Sequence, residues 1–114
     1  MNQLFYKLIF SFFLLVFSQF ILAKPVAVLP DDETATTGSA ISIDGSSSFD
    51  DEGGTLSYSW SIDIAPQGFN SQIDNPTNSS INFTLDTAGF YLVRLIVNNG
   101  TENSEPAYLV IRVE

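Results

Sequence analysis

Apolar and polar residues alternate along most of the chain after residue 23, in short runs that end at Gly, Pro, Asn or Asp. Such alternation has the period of two that is typical of a half-buried β-strand. No stretch keeps a helical period over several turns. The pattern therefore predicts strands within residues 26–29, 40–43, 56–62, 81–85, 90–97 and 108–113.

Many short strands separated by turn residues are typical of an antiparallel β-sandwich with Greek-key connections. We predict an all-β, immunoglobulin-like sandwich of about seven strands. The run at residues 55–62 defines an inner side, because Leu56, Tyr58, Trp60 and Ile62 share one face and Ser or Thr occupies the other. Trp60 is therefore expected in the core.

The run at residues 90–97 is apolar on both faces. Tyr91 follows a tight turn, as in a tyrosine corner, so Tyr91 and every second residue after it are expected to point inward. Residues 108–113 are predicted to pair with this run as a hairpin. The outward side of the hairpin would then carry seven side chains: Phe90, Leu92, Arg94, Ile96, Tyr108, Val110 and Arg112.

This outward side combines apolar area with Arg and Tyr, which is the composition of protein interface cores. The alternative is that strand propensity alone places Leu, Ile and Tyr on a solvated face. Both interpretations stay open from the sequence. The partner of such a surface would be a protein, a polysaccharide, or a second copy of the chain in a two-fold homodimer.

Residues 1–23 contain an early cation, Lys7, then an apolar run at residues 8–17, and end on the small Ala23. This order is typical of a secretory signal peptide. The alternative is an uncleaved membrane anchor, but the run is shorter than the roughly 20 apolar residues of a membrane span. We therefore predict a signal peptide at 1–23, one domain at 24–114, secretion to the periplasm or the extracellular space, and no stable membrane span after cleavage.

The chain is acidic, with 4 Lys and Arg against 13 Asp and Glu and a formal net charge of −9. Nucleic acid is excluded as a partner, because phosphate binding needs clustered bases. The absence of cysteine means that the core must form without disulfides. The absence of histidine and cysteine also excludes imidazole bases, thiolate nucleophiles and the common zinc sites, so we expect no enzyme activity.

Three stretches occur in a specific order and spacing: TGSAISIDGSSSFDDEGGTLSYSWSI, APQG, and SSINFTLDTAGFYLVRLIVNNGTENSEPAYLVIRV. In this order they resemble a polycystic kidney disease (PKD) domain, of the subgroup without the WDFGDG signature, over residues 25–113. The resemblance implies an immunoglobulin-like sandwich that serves as an extracellular interaction or spacer module without catalytic activity. Such modules are often attached to bacterial proteases, chitinases and surface proteins.

An acidic loop, defined here as Asp50, Asp51 and Glu52, precedes the tryptophan strand. Flexible acidic loops offer the oxygen ligands that calcium takes in extracellular modules. Some PKD domains are similar in carrying calcium on this loop with DxDGD-like spacing. Here Asp50 matches, Glu52 replaces an aspartate and Gly54 removes the last ligand. We therefore predict at most weak calcium binding, with a solvated acidic turn as the alternative, and no other cofactor.

Three functions remain open. The first is a secreted, non-catalytic module that contacts a protein or a polysaccharide through the outward side of the hairpin. The second is a structural spacer or envelope component with weak calcium-binding loops. The third is a carbohydrate-binding module that uses the loop aromatics Phe49 and Phe69, although Phe49 is also placed to plug one end of the sandwich.

Overall fold

The structure is a computed structural model that describes residues 24–114. The predicted signal peptide at 1–23 lies outside the described residues. Within them the chain forms strands and no helix, and therefore no helix with the length and hydropathy of a membrane span. The strands are β1 (Glu33–Ala35), β2 (Ala40–Asp44), β3 (Ser57–Ile64), β4 (Ser80–Thr84), β5 (Gly89–Asn98) and β6 (Ala107–Val113).

The all-β class is confirmed, but the expected strand number is wrong, because the described residues form six strands. Residues 26–29, predicted as a strand, make only an isolated antiparallel bridge between Val26 and Phe49. β1 forms instead within a stretch that was expected to be a turn. It pairs with β6 in a parallel sense, so the sandwich is not purely antiparallel.

The strands form two sheets. One has four strands in the order β1-β6-β5-β3, and the other pairs β2 with β4. The chain alternates between the sheets from β2 to β5, and the inner faces of both sheets contribute to one hydrophobic core. The two-stranded sheet supplies Ile41, Ile43, Ile81 and Phe83, and the four-stranded sheet supplies Trp60, Tyr91, Val93, Leu95, Val97, Leu109, Ile111 and Val113.

The predicted inner side is confirmed at Trp60, which is 5% exposed, and at Tyr91, which is 1% exposed. The indole Nε1 donates to the carbonyl of Asn78 at 2.7 Å, so burial leaves its polar atom satisfied. Gly45 lies beside the indole, and a Cβ there would approach Trp60 Cζ2 to 2.8 Å. A glycine is therefore required at the end of β2 for the sheets to approach this closely.

The tyrosine corner is also confirmed, since the Tyr91 hydroxyl donates to the carbonyl of Thr87 at 2.6 Å. Gly89 has φ +135°, a conformation that favours glycine. The Tyr91 ring packs edge-on against Phe69, with ring centroids 5.1 Å apart. The turn, the hydroxyl and the ring contact together fix the start of β5, and therefore which of its residues face outward.

Candidate interaction surface

The seven side chains predicted to share the outward side of the hairpin do lie on the outer face of the four-stranded sheet. Their register is Phe90 opposite Arg112, Leu92 opposite Val110, and Arg94 opposite Tyr108. Ile96 lies on the same face, opposite Ser59 of β3. We call this surface the outer face; it comprises these seven residues together with Asp63 and Ile64 of β3.

A β-bulge in β3 changes the composition of the outer face. The register of β3 against β5 shifts between Ile62 and Ile64, so that Ile62 pairs with Val93 and Ile64 with Leu92. Regular alternation would have turned Ile64 inward with Ile62. The bulge instead brings Ile64 outward, where it is 57% exposed.

The outer face therefore contains an aliphatic row that crosses three strands. Val110, Leu92 and Ile64 are register neighbours on β6, β5 and β3. Two exposed aromatics flank this row, Phe90 at 61% exposure and Tyr108 at 49%. Exposed apolar side chains gathered on one sheet face are often functional in soluble proteins, whereas single scattered ones need no explanation.

Both arginines of the outer face have carboxylate neighbours within the chain. Arg94 Nε lies 3.3 Å from Asp63 Oδ2 and donates to Ser61 Oγ at 3.1 Å. Arg112 Nη2 lies 2.7 Å from Glu114 Oε1. Asp63 sits in the β3 bulge and was not among the predicted site residues. The outer face is thus nearly charge-balanced, although the chain as a whole carries a net charge of −9.

The predicted acidic loop forms a turn that is closed by its own first carboxylate. Asp50 Oδ2 accepts from the Gly54 amide at 2.9 Å, and Asp50 Oδ1 accepts from Asn99 Nδ2 at 3.4 Å. Asp51 and Glu52 are exposed. Within residues 24–114, no group of three or more His, Cys, Asp or Glu side chains is placed to hold a metal ion. Calcium binding by the acidic loop stays a prediction.

The two loop aromatics proposed for carbohydrate binding have different environments. Phe49 is 48% exposed and sits opposite Val26 in the isolated bridge. Phe69 is partly buried against the core, where its ring meets Tyr91 and Phe83 edge-on. Only Phe49 of this pair presents a largely open ring, so the structure does not bring the two together as one stacking platform.

Comparison with known proteins identifies a family for the chain. A sequence model of the PKD domain family matches residues 22–113. No curated protein matches the chain. Among solved structures, a nucleoside hydrolase-related hypothetical protein from Saccharophagus degradans, associated with carbohydrate metabolism, is 28% identical with a TM-score of 0.69. The match covers 81% of this chain and 26% of that one, so the chain spans about a quarter of that protein's length.

Two solution structures of PKD domains are also similar. The PKD domain from the KIAA 1837 protein is 24% identical with a TM-score of 0.66, and the match covers 81% of this chain and 88% of that one. The PKD domain from human KIAA0319 is 13% identical with a TM-score of 0.66, and the match covers 82% and 83% of the two chains. At these identities the likeness shows the fold.

Proposed function

Because the chain belongs to the PKD domain family, we propose that it is a secreted, non-catalytic interaction module that contacts a protein or a polysaccharide at or outside the cell surface through its outer face. PKD domains are immunoglobulin-like modules, usually of extracellular proteins, and they are not catalytic. The resemblance seen in the sequence is thus confirmed at the level of the family. The predicted signal peptide supports secretion, and the lack of histidine and cysteine supports a role without catalysis.

The observation that carries this proposal is the aliphatic row of Ile64, Leu92 and Val110 between two exposed aromatics. The outward side of the two-stranded sheet is polar by comparison, since Ser42, Asn82 and Thr84 point outward there and are exposed. The outer face has the apolar centre and the Arg and Tyr content of an interface.

The test uses a double variant, Leu92→Glu with Ile96→Glu, which places one carboxylate in the aliphatic row and a second one further along β5 on the same face. The matched control is Asn82→Glu with Thr84→Glu, which adds the same charges on the outward side of the other sheet. Retention is measured on envelopes of the producing cells and on washed cellulose and chitin. All four positions are at least partly exposed, so both variants should fold, as thermal unfolding will verify.

We expect the Leu92 and Ile96 variant to lower retention at least about tenfold and the control variant to be retained like the wild type, because burying an unpaired carboxylate in an apolar contact costs more than 1 kcal/mol. Protease treatment of the envelopes separates a protein partner from a polysaccharide partner. If the wild type is retained on none of these surfaces, or if the two variants behave alike, the outer face is not the contact surface.

Carbohydrate binding through Phe49 is a second candidate, favoured by its exposed ring and by the similarity to a protein associated with carbohydrate metabolism. An aromatic ring offers sugars an apolar platform. In that case Phe49→Ala should abolish retention on cellulose or chitin, whereas Leu92→Glu should not. Equal retention of Phe49→Ala and the wild type would exclude this candidate.

A further inference from the structure

The edge of a β-sheet exposes unpaired backbone N–H and C=O groups, to which another strand can add. In the two-stranded sheet, the β4 edge is occupied within the domain. Asp74 donates its amide to the carbonyl of Asn82 at 3.0 Å, and Thr84 donates its amide to Ser71 Oγ at 3.2 Å. These contacts take up the Asn82 carbonyl and the Thr84 amide, and they block this part of the β4 edge.

The edges of the four-stranded sheet are also interrupted. On the β3 side, Trp60 donates its amide to the carbonyl of Pro76 at 3.0 Å, and the bulge breaks the strand beyond Ile62. On the other side, β1 is only 3 residues long. Where β6 extends past β1, the amide of Val110 is taken by Asp32 Oδ1 at 2.9 Å. Blocked, short or bulged edges of this kind prevent strand addition.

The edge of β2 has none of these devices. The backbone N–H and C=O groups of successive β2 residues point alternately towards β4 and away from it. A hydrogen bond at each end of the strand fixes which residues point which way. Leu85 donates to the carbonyl of Ser39 at 2.9 Å, and Gly45 donates to that of Ser79 at 2.8 Å. The backbone groups of Ala40, Ser42 and Asp44 therefore point away from β4.

Within residues 24–114 these outward groups of β2 have no hydrogen-bond partner. Residues 24–32 could have covered them, but they approach this sheet only beyond the end of β2, through Val26 to Phe49 and through the Val28 amide to Ser48 Oγ. The chain then crosses to the four-stranded sheet and forms β1. The β2 strand is also free of Pro, Lys and bulges.

We infer that the β2 edge pairs with β2 of a second copy of this chain, in an antiparallel two-fold arrangement centred on Ser42. Antiparallel pairing about Ser42 sets Asp44 of one copy opposite Ala40 of the other. It forms about six backbone hydrogen bonds, two for each outward residue pair. The product is a continuous four-stranded sheet in the order β4-β2-β2-β4.

The charges of β2 suit this register. Asp44 Oδ1 accepts from the Ser46 amide at 2.9 Å and from Ser80 Oγ at 3.0 Å, so this carboxylate needs no partner from the second copy. Asp44 of the second copy lies at the other end of the paired strands. Four residues at about 3.4 Å per residue separate the two carboxylates by about 14 Å. This separation exceeds the Debye length of about 8 Å at physiological ionic strength, so the two charges are largely screened. A parallel pairing would set the two Asp44 carboxylates side by side.

Charge variants at Ser42 test the register directly. Ser42 is exposed, and in the proposed pairing its side chain stands opposite Ser42 of the second copy at a Cα distance of about 5.5 Å. We expect Ser42→Lys and Ser42→Glu each to weaken self-association by about two- to fivefold, because like charges then face each other. An equimolar mixture of the two variants should restore it, since Lys then faces Glu. Sedimentation velocity or light scattering of the purified protein over a concentration series measures the effect.

Two controls separate this surface from the others. Asn82 is the register neighbour of Ser42 on β4, and Asn82→Lys adds the same charge one strand further from the two-fold axis, so it should leave association intact. Leu92→Glu on the outer face should also leave it intact. Loss of association with Leu92→Glu, failure of the Ser42 mixture to restore it, or a wild type that is monomeric up to millimolar concentration would each overturn the proposal.

Discussion

Replacing Tyr91 by phenylalanine removes a single hydroxyl from the tyrosine corner and tests how much this contact stabilises the fold. The hydroxyl donates to the Thr87 carbonyl at 2.6 Å, and the side chain is 1% exposed. The variant loses a short hydrogen bond and leaves the carbonyl without its partner, which costs about 1–2 kcal/mol. For a domain of this size, that lowers the melting temperature by roughly 5–15 °C.

The same hydroxyl makes the stability of the wild type depend on pH. Desolvation by burial raises the pKa of Tyr91 above its usual value of 10.0, and the negative charge of Asp86 adds to the rise. The phenol therefore ionises more readily in the unfolded chain than in the folded one. The stabilisation is fully present below pH 10 and is lost as the pH rises towards and through the folded pKa.

The assay is urea unfolding of the wild type and of Tyr91→Phe, followed by the fluorescence of Trp60, from pH 7 to pH 11. We expect the wild type to be more stable by about 1–2 kcal/mol at neutral pH and this advantage to shrink above pH 10. All other side chains are the same in both proteins, so their contributions cancel in the difference. A difference below about 0.3 kcal/mol at neutral pH, or one that stays constant to pH 11, would refute the reasoning.

Three further predictions concern other parts of the molecule. Gly45→Ala should destabilise the domain by about 1–3 kcal/mol in urea unfolding, since its Cβ would lie 2.8 Å from Trp60 Cζ2; a neutral effect would contradict the close sheet approach. A double-mutant cycle of Asp63→Asn and Arg94→Gln should give a coupling of about 0.5–1 kcal/mol at low salt and less at high salt, because the pair is partly exposed. The acidic loop is predicted to bind calcium at most weakly; with a dissociation constant of about 1 mM, 10 mM calcium would stabilise the protein by about 1.4 kcal/mol and Asp51→Asn would weaken this effect, whereas identical melting temperatures in calcium and in chelator would exclude the site and leave a solvated acidic turn.

Sequence pattern was sufficient to predict the parts of the fold that bury a regular apolar face. β5 alternates without interruption, and Tyr91, Val93, Leu95 and Val97 are all buried. The inward side of β3 followed from the serines that alternate with its apolar residues. In these strands the side chains alternate with a period of two and one face is buried, so the apolar residues of the sequence are the inward ones. The local pattern is therefore enough to predict which residues point inward.

β1 could not be predicted, because Glu33–Ala35 contains no apolar alternation and its strand geometry depends on its pairing with β6. The bulge in β3 could not be predicted from the sequence either. Bulges are often marked by glycine, but residues 62–64 are Ile, Asp and Ile, and regular alternation fits them as well as the observed shift. The register shift is a property of the β3 and β5 pair, and neither strand encodes it alone.

The bulge has the largest consequence for function, because it decides how far the apolar area of the outer face extends. With regular alternation Asp63 would still point outward, but Ile64 would be inside and the aliphatic row would end at Leu92. The bulge extends the row to Ile64 while Asp63 stays beside Arg94, so the apolar area grows without leaving an arginine unpaired on it.

The affinities of the two proposed contacts, one through the outer face and one through the β2 edge, should respond differently to salt. The reason is that the outer face is nearly charge-balanced, whereas the rest of the chain is acidic. Contact through the outer face relies on apolar burial and brings no unpaired charge into the interface, so its affinity should change little with ionic strength. Pairing through the β2 edge brings together two chains that each carry a net charge of −9, so it should strengthen as salt screens their repulsion. If the affinity of the outer-face contact instead fell steeply as salt was added, acidic residues outside the outer face, rather than the aliphatic row, would be what attracts the partner.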